Sequence, residues 1–238
     1  MGTPLTPVTP LTARAHVFVA DLDRPALGDD DRHHLRRVLR LREGAEVTAC
    51  DGRGGWRPCR LGRSPELEPV GDVVVDPAPA PPLTVAFAVV KGERPEMVVQ
   101  KLTEVGIDRI VPFVSDRSIV RWDRAKAERH GERWSAIARQ AAMQCRRTRI
   151  PAVSAVETFA RVAGLDGAAL ADLSGEPLTP RTRTVLVGPE GGWSDDERAV
   201  GLPTVRLGSH VLRAETAAIT AGGLLVALRG GLVRSAQR

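Results

Sequence analysis

Cysteine is scarce in this 238-residue chain. Cys50, Cys59 and Cys145 are its only three, scattered too widely for a disulfide framework or a CxxC metal site. Long apolar runs are also missing: no window approaches the roughly 18 residues needed to span a bilayer. The opening Met1–Leu11 repeats Thr-Pro and has no apolar h-region, which speaks against a signal peptide. No internal repeat is visible. What is present is enough to fold, since 42% of residues are hydrophobic and 26% charged, which excludes wholesale disorder. The length suits one large domain or two small ones. A soluble cytoplasmic protein is the expectation.

Lysine is the other scarcity. Of 34 basic residues 31 are arginines, set against 29 acidic residues for a formal charge of +5. Residues 1–80 hold 11 basic and 12 acidic side chains, whereas residues 81–238 hold 23 and 17. The stretch Arg109–Arg149 has 11 against 4 and supplies the whole excess. Arginine's planar fork suits phosphate better than lysine's point charge. A polyanionic partner follows, RNA or DNA ahead of an anionic membrane, with solvated helix faces in an arginine-biased sequence as the plainer alternative.

The clearest boundary is the proline-rich Asp76–Pro82, whose prolines neither join a ladder nor continue a helix. It divides the chain into residues 1–76, a linker at 77–82, and residues 83–238. Before it, β-like runs are read at Ala15–Ala20, Glu46–Cys50, Trp56–Leu61 and Gly71–Val75. A short helix is read at Asp30–Arg40 with Leu35, Val38 and Leu39 on one side. A small β-rich domain, a barrel, fits this half. After it, strands are read at Leu83–Val90, Ile110–Val114, Ala152–Val156, Thr184–Val187 and Thr204–Arg206. Helices are read at Pro95–Val105, Arg124–Arg147, Ser194–Val200 and Glu215–Arg229. Such alternation predicts an α/β domain with a mostly parallel sheet.

Two loops carry the chemistry. Gly188-Pro-Glu-Gly-Gly-Trp-Ser194 follows a strand directly, and Ser194-Asp-Asp-Glu197 is a capping box that opens the next helix. Small residues there let a ligand approach the backbone, at the sheet end where α/β proteins bind ligands. No Gly-Lys-Ser/Thr follows, so it is not a P-loop, and GxGxxG is absent too; taken alone it could be an ordinary tight turn. The second loop, Leu207–Ala218, joins a short strand to the last helix. Glu215 in that helix's first turn agrees with the helix dipole, whereas Arg213 opposes it, which marks Arg213 as a functional candidate.

Gly188-Pro-Glu-Gly-Gly192 followed by Leu207-Gly-x-x-x-Leu-Arg-x-Glu-Thr-Ala217 resembles the RsmE family of SPOUT methyltransferases. The likeness extends to Lys91-Gly-Glu93, Gln100–Gly106, Pro112–Arg117, Gln144–Pro151 and His34–Arg40, covering nearly the whole chain in order. The resemblance implies an N-terminal PUA-like barrel and a C-terminal α/β domain with a deep trefoil knot, against the general rule that chains do not thread loops. It implies S-adenosylmethionine as cofactor and N3 of a uridine in 16S ribosomal RNA, free or in the small subunit, as target. It also implies a homodimer built partly on Glu215–Arg229, where Ile219, Leu224, Leu225 and Leu228 are apolar and Gly222-Gly223 permit close approach.

The cofactor residues implied are Val187, Gly188, Pro189, Glu190, Gly191 and Gly192 from the first loop. From the second come Leu207, Gly208, Val211, Leu212, Arg213, Thr216 and Ala217. Arg213 is read as stabilising the base or its developing charge, and Glu190 or Glu215 as proton acceptor. His34, Arg36, Arg37, Arg40, Arg117, Gln144 and Arg147 are read as RNA-binding. Where the family usually has arginine this chain has His210, and Met143 stands where a polar residue is common. On the long helix Trp134, Ala138, Ala141 and Cys145 form an apolar stripe, which makes Cys145 a buried, unreactive thiol. His33-His34 lacks a third ligand, so no metal site is expected. Two other readings stand beside this one: a catalytically silent ribosome-assembly factor that kept the fold, and a SPOUT enzyme acting on a ribose 2′-hydroxyl.

Overall fold

A computed structural model of the chain describes residues 8–63, 66–89, 94–118 and 122–234. Val90, the Lys91–Glu93 motif and most of the Thr-Pro repeat lie outside the described residues. The chain forms two compact units. The first comprises residues up to Pro79 together with Ala142–Ile150, and the second comprises Ala80–Ala141 and Pro151 onward.

The first unit is built on β1 (Ala15–Phe18), β2 (Glu46–Cys50), β3 (Gly55–Leu61), β4 (Leu67–Pro69) and β5 (Val74–Val75). Pairing runs β1-β2-β3-β4, with β5 also on β3; β1 and β2 are parallel and the remaining pairs antiparallel. Alternation along the strands sorts the side chains by face. Ala15, Val17, Val47, Ala49, Cys59 and Leu61 enter one core, while Phe18, Cys50 and Trp56 pack with Ala142, Met143 and Ile150. Burial pushes the Cys50 and Cys59 thiols up to about 11, so neither is a nucleophile at neutral pH.

The helix read at Asp30–Arg40 is shorter and irregular. α1 spans Asp29–His33, a π turn continues through His34–Val38, and Arg40 is left-handed with φ 53°. Only Leu35 is buried; Val38 and Leu39 are exposed, so the three do not share a packed side.

Among the described residues the second unit holds a seven-stranded, all-parallel sheet in the order β12-β10-β11-β6-β7-β8, with β9 also on β7. Its strands are β6 (Thr84–Ala88), β7 (Arg109–Val114), β8 (Ala152–Val153), β9 (Glu157–Thr158), β10 (Ala168–Pro177), β11 (Thr184–Val187) and β12 (Thr204–Arg206). The helices are α2 (Arg94–Val105), α3 (Arg124–Gln144), α4 (Phe159–Ala163), α5 (Asp195–Ala199) and α6 (Ala214–Arg229). The single strand expected at 152–156 is confined to β8 at Ala152–Val153, and β9 follows beyond it at Glu157–Thr158. β10, the longest strand, went unread because Asp172, Ser174 and Gly175 interrupt its apolar pattern at a register shift between Ala171 and Glu176.

α3 stops at Gln144 rather than Arg147. Arg146 takes φ 62°, and the Arg146 and Arg147 amides return to the Met143 and Ala142 carbonyls, closing a Schellman-type end. A non-glycine residue there is held by its guanidinium, which donates to the Pro10 and Ala13 carbonyls. Trp134, Ala138 and Ala141 are buried as the stripe requires, but Cys145 is only half-buried. α6 leaves the β12 edge of the sheet and packs back over β11 and β6 against α2. There Gly222 is needed within the chain, because a Cβ would sit 2.6 Å from Leu102 Cδ2, while Gly223 faces open space. No helix among the described residues is long and apolar enough to cross a membrane.

Candidate active site

A cleft of about 280 Å³ opens where β10, β11 and β12 deliver their loops, at the low end of the size of small-molecule sites. The β11–α5 loop forms one wall. The Gly192 amide closes a turn onto the Pro189 carbonyl at 2.9 Å, with Gly192 at φ 71°. Gly188 lies under the Trp193 ring, where a Cβ would come within 3.1 Å. Trp193 is itself fixed: it stacks on Phe113 at 6.2 Å, and its indole N–H donates to the Ala171 carbonyl at 3.0 Å. The capping box is present. Ser194 Oγ accepts from the Glu197 amide, and Glu197 accepts from the Ser194 and Asp116 amides. The Arg117 guanidinium donates to the Gly191 carbonyl at 2.9 Å, so two elements hold this loop.

The β12–α6 loop forms the facing wall through Leu207, Gly208, His210, Val211 and Leu212. Arg213 is the exposed N-cap residue of α6, with extended backbone and its carbonyl accepting from Ala217. β10 supplies the third wall, Ala171–Leu173, with Arg198 beside it. Asp172 is held below the usual carboxylate range, first by the Ser174 hydroxyl and amide and then by Arg198 at 2.8 Å. Near the first loop, Arg94 Nη1 donates to Glu190 Oε1 at 2.7 Å and Arg94 Nε lies 3.8 Å from Glu215 Oε1.

The RNA methyltransferase domain family matches residues 77–226 and the RNA methyltransferase PUA domain family matches residues 27–66. Ribosomal RNA small subunit methyltransferase E of Mycobacterium bovis is 35% identical over 217 residues, covering 82% of each chain. The chain belongs to the ribosomal RNA small subunit methyltransferase E family. Two solved structures share its fold. A methyltransferase of Legionella pneumophila in complex with S-adenosylmethionine is 28% identical with TM-score 0.77, covering 90% of this chain and 97% of that one. The methyltransferase E of Neisseria gonorrhoeae bound to S-adenosylmethionine is 25% identical with TM-score 0.76 and the same coverage. The architecture is therefore a SPOUT-type α/β methyltransferase domain preceded by a PUA domain.

The cleft gathers Val187, Gly188, Pro189, Glu190, Gly192, Leu207, Gly208, Val211, Leu212 and Ala217 from the two expected loops and their flanking elements. Gly191, Arg213 and Thr216 do not line it. Ala171, Asp172, Leu173, Trp193, Arg198, His210 and Ala214 do and were not foreseen. Trp193 and His210 stood inside the motifs already quoted; Asp172 had no signal because β10 was unread. Gly208 tests whether a ligand fits. Its φ is not positive and no protein atom lies within 4 Å of its missing Cβ, so neither backbone nor packing demands glycine there. Space left open beside a cleft lined by both apolar (Val187, Leu207, Leu212) and charged (Asp172, Glu190) side chains suits a cofactor with an apolar ring face and polar, positively charged groups, such as S-adenosylmethionine.

The residues read as RNA-binding are spread over both units. His34, Arg37 and Arg40 are exposed on and just after the π turn, while Arg36 donates to the Gly62 carbonyl. Gln144 is exposed at the end of α3, and the Arg147 carbonyl accepts from His16. Arg117 belongs to the second unit and faces Gly191. Among the described residues no group of three His, Cys, Asp or Glu side chains could hold a metal ion.

Proposed function

We propose that this chain methylates N3 of a uridine in small-subunit (16S) ribosomal RNA from S-adenosylmethionine, acting as a cytoplasmic homodimer. The observation that carries the reading is the pair of glycine loops closing on one cleft at the carboxyl ends of parallel strands. When bound, S-adenosylmethionine supplies a methyl group already activated by its sulfonium. The chain's residues do the rest. Backbone groups of Gly188–Gly192 and Leu207–Leu212 orient the cofactor, and Val187, Leu207, Val211 and Leu212 keep water from it. Arg213 steadies the base or the negative charge that spreads over it, and Glu190 or Glu215 takes the N3 proton. Exposed arginines of the PUA unit and of the α3 region hold RNA phosphates.

Support for the dimer comes from α6: Ile219, Leu224 and Leu228 stay half-exposed beside the open Gly223, whereas Leu225 is buried within the chain. The return of α6 from the β12 edge over β11 and β6 supports a knotted C-terminal segment. The deciding experiment is nucleoside mass spectrometry of small-subunit RNA from a deletion strain, with the purified chain restoring the mark. N3-methyluridine is the expected product. A 2′-O-methyl nucleotide would sink the base-methylating reading, and RNA binding without methyl transfer would favour the silent assembly factor. Arg213→Ala should slow single-turnover methylation on saturating RNA by roughly 10- to 1000-fold with little loss of RNA affinity.

A further inference from the structure

Arg94 opens α2, a position where the helix dipole disfavours a cation, so local preference does not explain it. Its tertiary partners do. One guanidinium is shared by two carboxylates that belong to different elements, Glu190 of the glycine loop at 2.7 Å and Glu215 of α6 at 3.8 Å.

The two acids are not equivalent. Glu190 lines the cleft and its side chain is 49% exposed; Arg94 holds Oε1, and Oε2 has no partner among the described residues. Glu215 is enclosed, with its side chain 11% exposed, and it does not line the cleft. Its Oε2 is buried and accepts no hydrogen bond from the described residues. Enclosed beside the Arg94 guanidinium, it cannot reach a substrate without rearrangement.

We propose that Glu190 is the catalytic proton acceptor, that Arg94 is its positioning residue, and that Glu215 is the buried counter-charge that keeps Arg94 in place. This rests on the uridine-N3 methyltransferase reading. The uridine N3–H bond breaks, its electron pair stays on nitrogen, and the proton passes to Glu190 Oε2. That pair then bonds to the methyl carbon as the carbon–sulfur bond of the sulfonium breaks, the bonding electrons staying on sulfur so that neutral S-adenosylhomocysteine leaves, and the resulting glutamic acid returns its proton to water. Fixing Oε1 leaves Oε2 at a defined place on the cleft wall, the condition for efficient general-base catalysis.

The test uses full-length protein, small-subunit particles and single-turnover kinetics, with cofactor binding followed by calorimetry. Glu190→Gln should lower the rate at pH 7 by about 100-fold or more, and by a larger factor than it weakens S-adenosylmethionine binding. The deficit should shrink as pH rises, because hydroxide replaces the missing carboxylate. Arg94→Met should lower the rate in the same way, and Arg94→Lys should recover part of it. A readout independent of turnover completes the set. Arg94→Met should lower Tm, and adding Glu215→Gln should restore it by neutralising the charge left unpaired. A wild-type rate in Glu190→Gln, a deficit that does not change with pH, or a larger rate loss in Glu215→Gln than in Glu190→Gln would overturn the proposal. So would an unshifted Tm in Arg94→Met. A wild-type protein that binds no S-adenosylmethionine and methylates nothing would instead overturn the reading on which it rests.

Discussion

Lowering the pH from 7.5 to 5 should destabilise the first unit by about 2 kcal/mol through His16 alone. The ring is buried between Thr48 Oγ1, 2.9 Å from Nδ1, and the Arg147 carbonyl, 3.0 Å from Nε2. The carbonyl can only accept, so Nε2 carries the proton and Nδ1 accepts from the threonine hydroxyl. Burial withholds the solvation an imidazolium needs and moves His16 down to about 4, with Arg146 adding repulsion and the Arg147 carbonyl opposing the shift. The unfolded chain keeps the ordinary value of 6.5. Because the folded value is the depressed one, the unfolded chain binds the proton first as pH falls. The contribution is therefore complete above 6.5 and is lost progressively down to about 4. At 1.36 kcal/mol per pH unit the full loss is about 3 kcal/mol, of which about 2 kcal/mol has gone at pH 5. Urea unfolding of wild type and His16→Gln at both pH values measures this, since the amide can still donate to the carbonyl but does not titrate. The variant should lose about 2 kcal/mol less than wild type on acidification. Equal losses in the two proteins, or an imidazole that titrates near 6.5 by NMR, would refute the reasoning.

Gly208→Val should leave Tm nearly unchanged, since no protein atom lies within 4 Å of the new Cβ, yet weaken S-adenosylmethionine binding at least about tenfold in calorimetry by filling the cleft. Gly175→Ala should do the opposite kind of damage. Its Cβ would lie 2.5 Å from the Val205 amide nitrogen, so β10 and β12 must part, costing about 1–3 kcal/mol in a denaturant titration. Arg37→Ala should weaken binding to small-subunit RNA and reduce the salt dependence of that binding by about one unit of slope, with cofactor affinity unchanged. An unchanged slope would remove Arg37 from the RNA surface.

Local signals made much of this molecule legible. Glu46–Cys50, Thr184–Val187 and Thr204–Arg206 are strands as read, because short apolar runs bounded by turn residues are decided locally. The Ser194–Glu197 capping box forms as its spacing requires, and Gly106 ends α2 at φ 104°. β10 was missed for the converse reason: its irregular middle places Asp172 on the cleft wall, which breaks the apolar run by which a buried strand is recognised. Leu35, Val38 and Leu39 had helical spacing, but the π turn changed the phase and buried only the first. Arg94 was invisible as a site residue. Its meaning lies in carboxylates at positions 190 and 215, and no local pattern connects residues so far apart.

The make-up of the first unit from two separated segments has a consequence for synthesis. Phe18, Cys50 and Trp56 complete their packing with Ala142 and Ile150, so these strands wait for residues 80–141 to be made before their core can close. While the chain grows from the ribosome, the first unit remains unfinished until Ile150 has emerged, by which time α2, β7 and all of α3 are already out. N-terminal-first folding is thereby replaced by folding that waits on the middle of the chain, and the loop closed is long enough to slow it. Expressing residues 83–238 alone would carry Ala142–Ile150 without the strands they pack on, so a cut at the proline-rich linker separates the sequence more cleanly than it separates the fold.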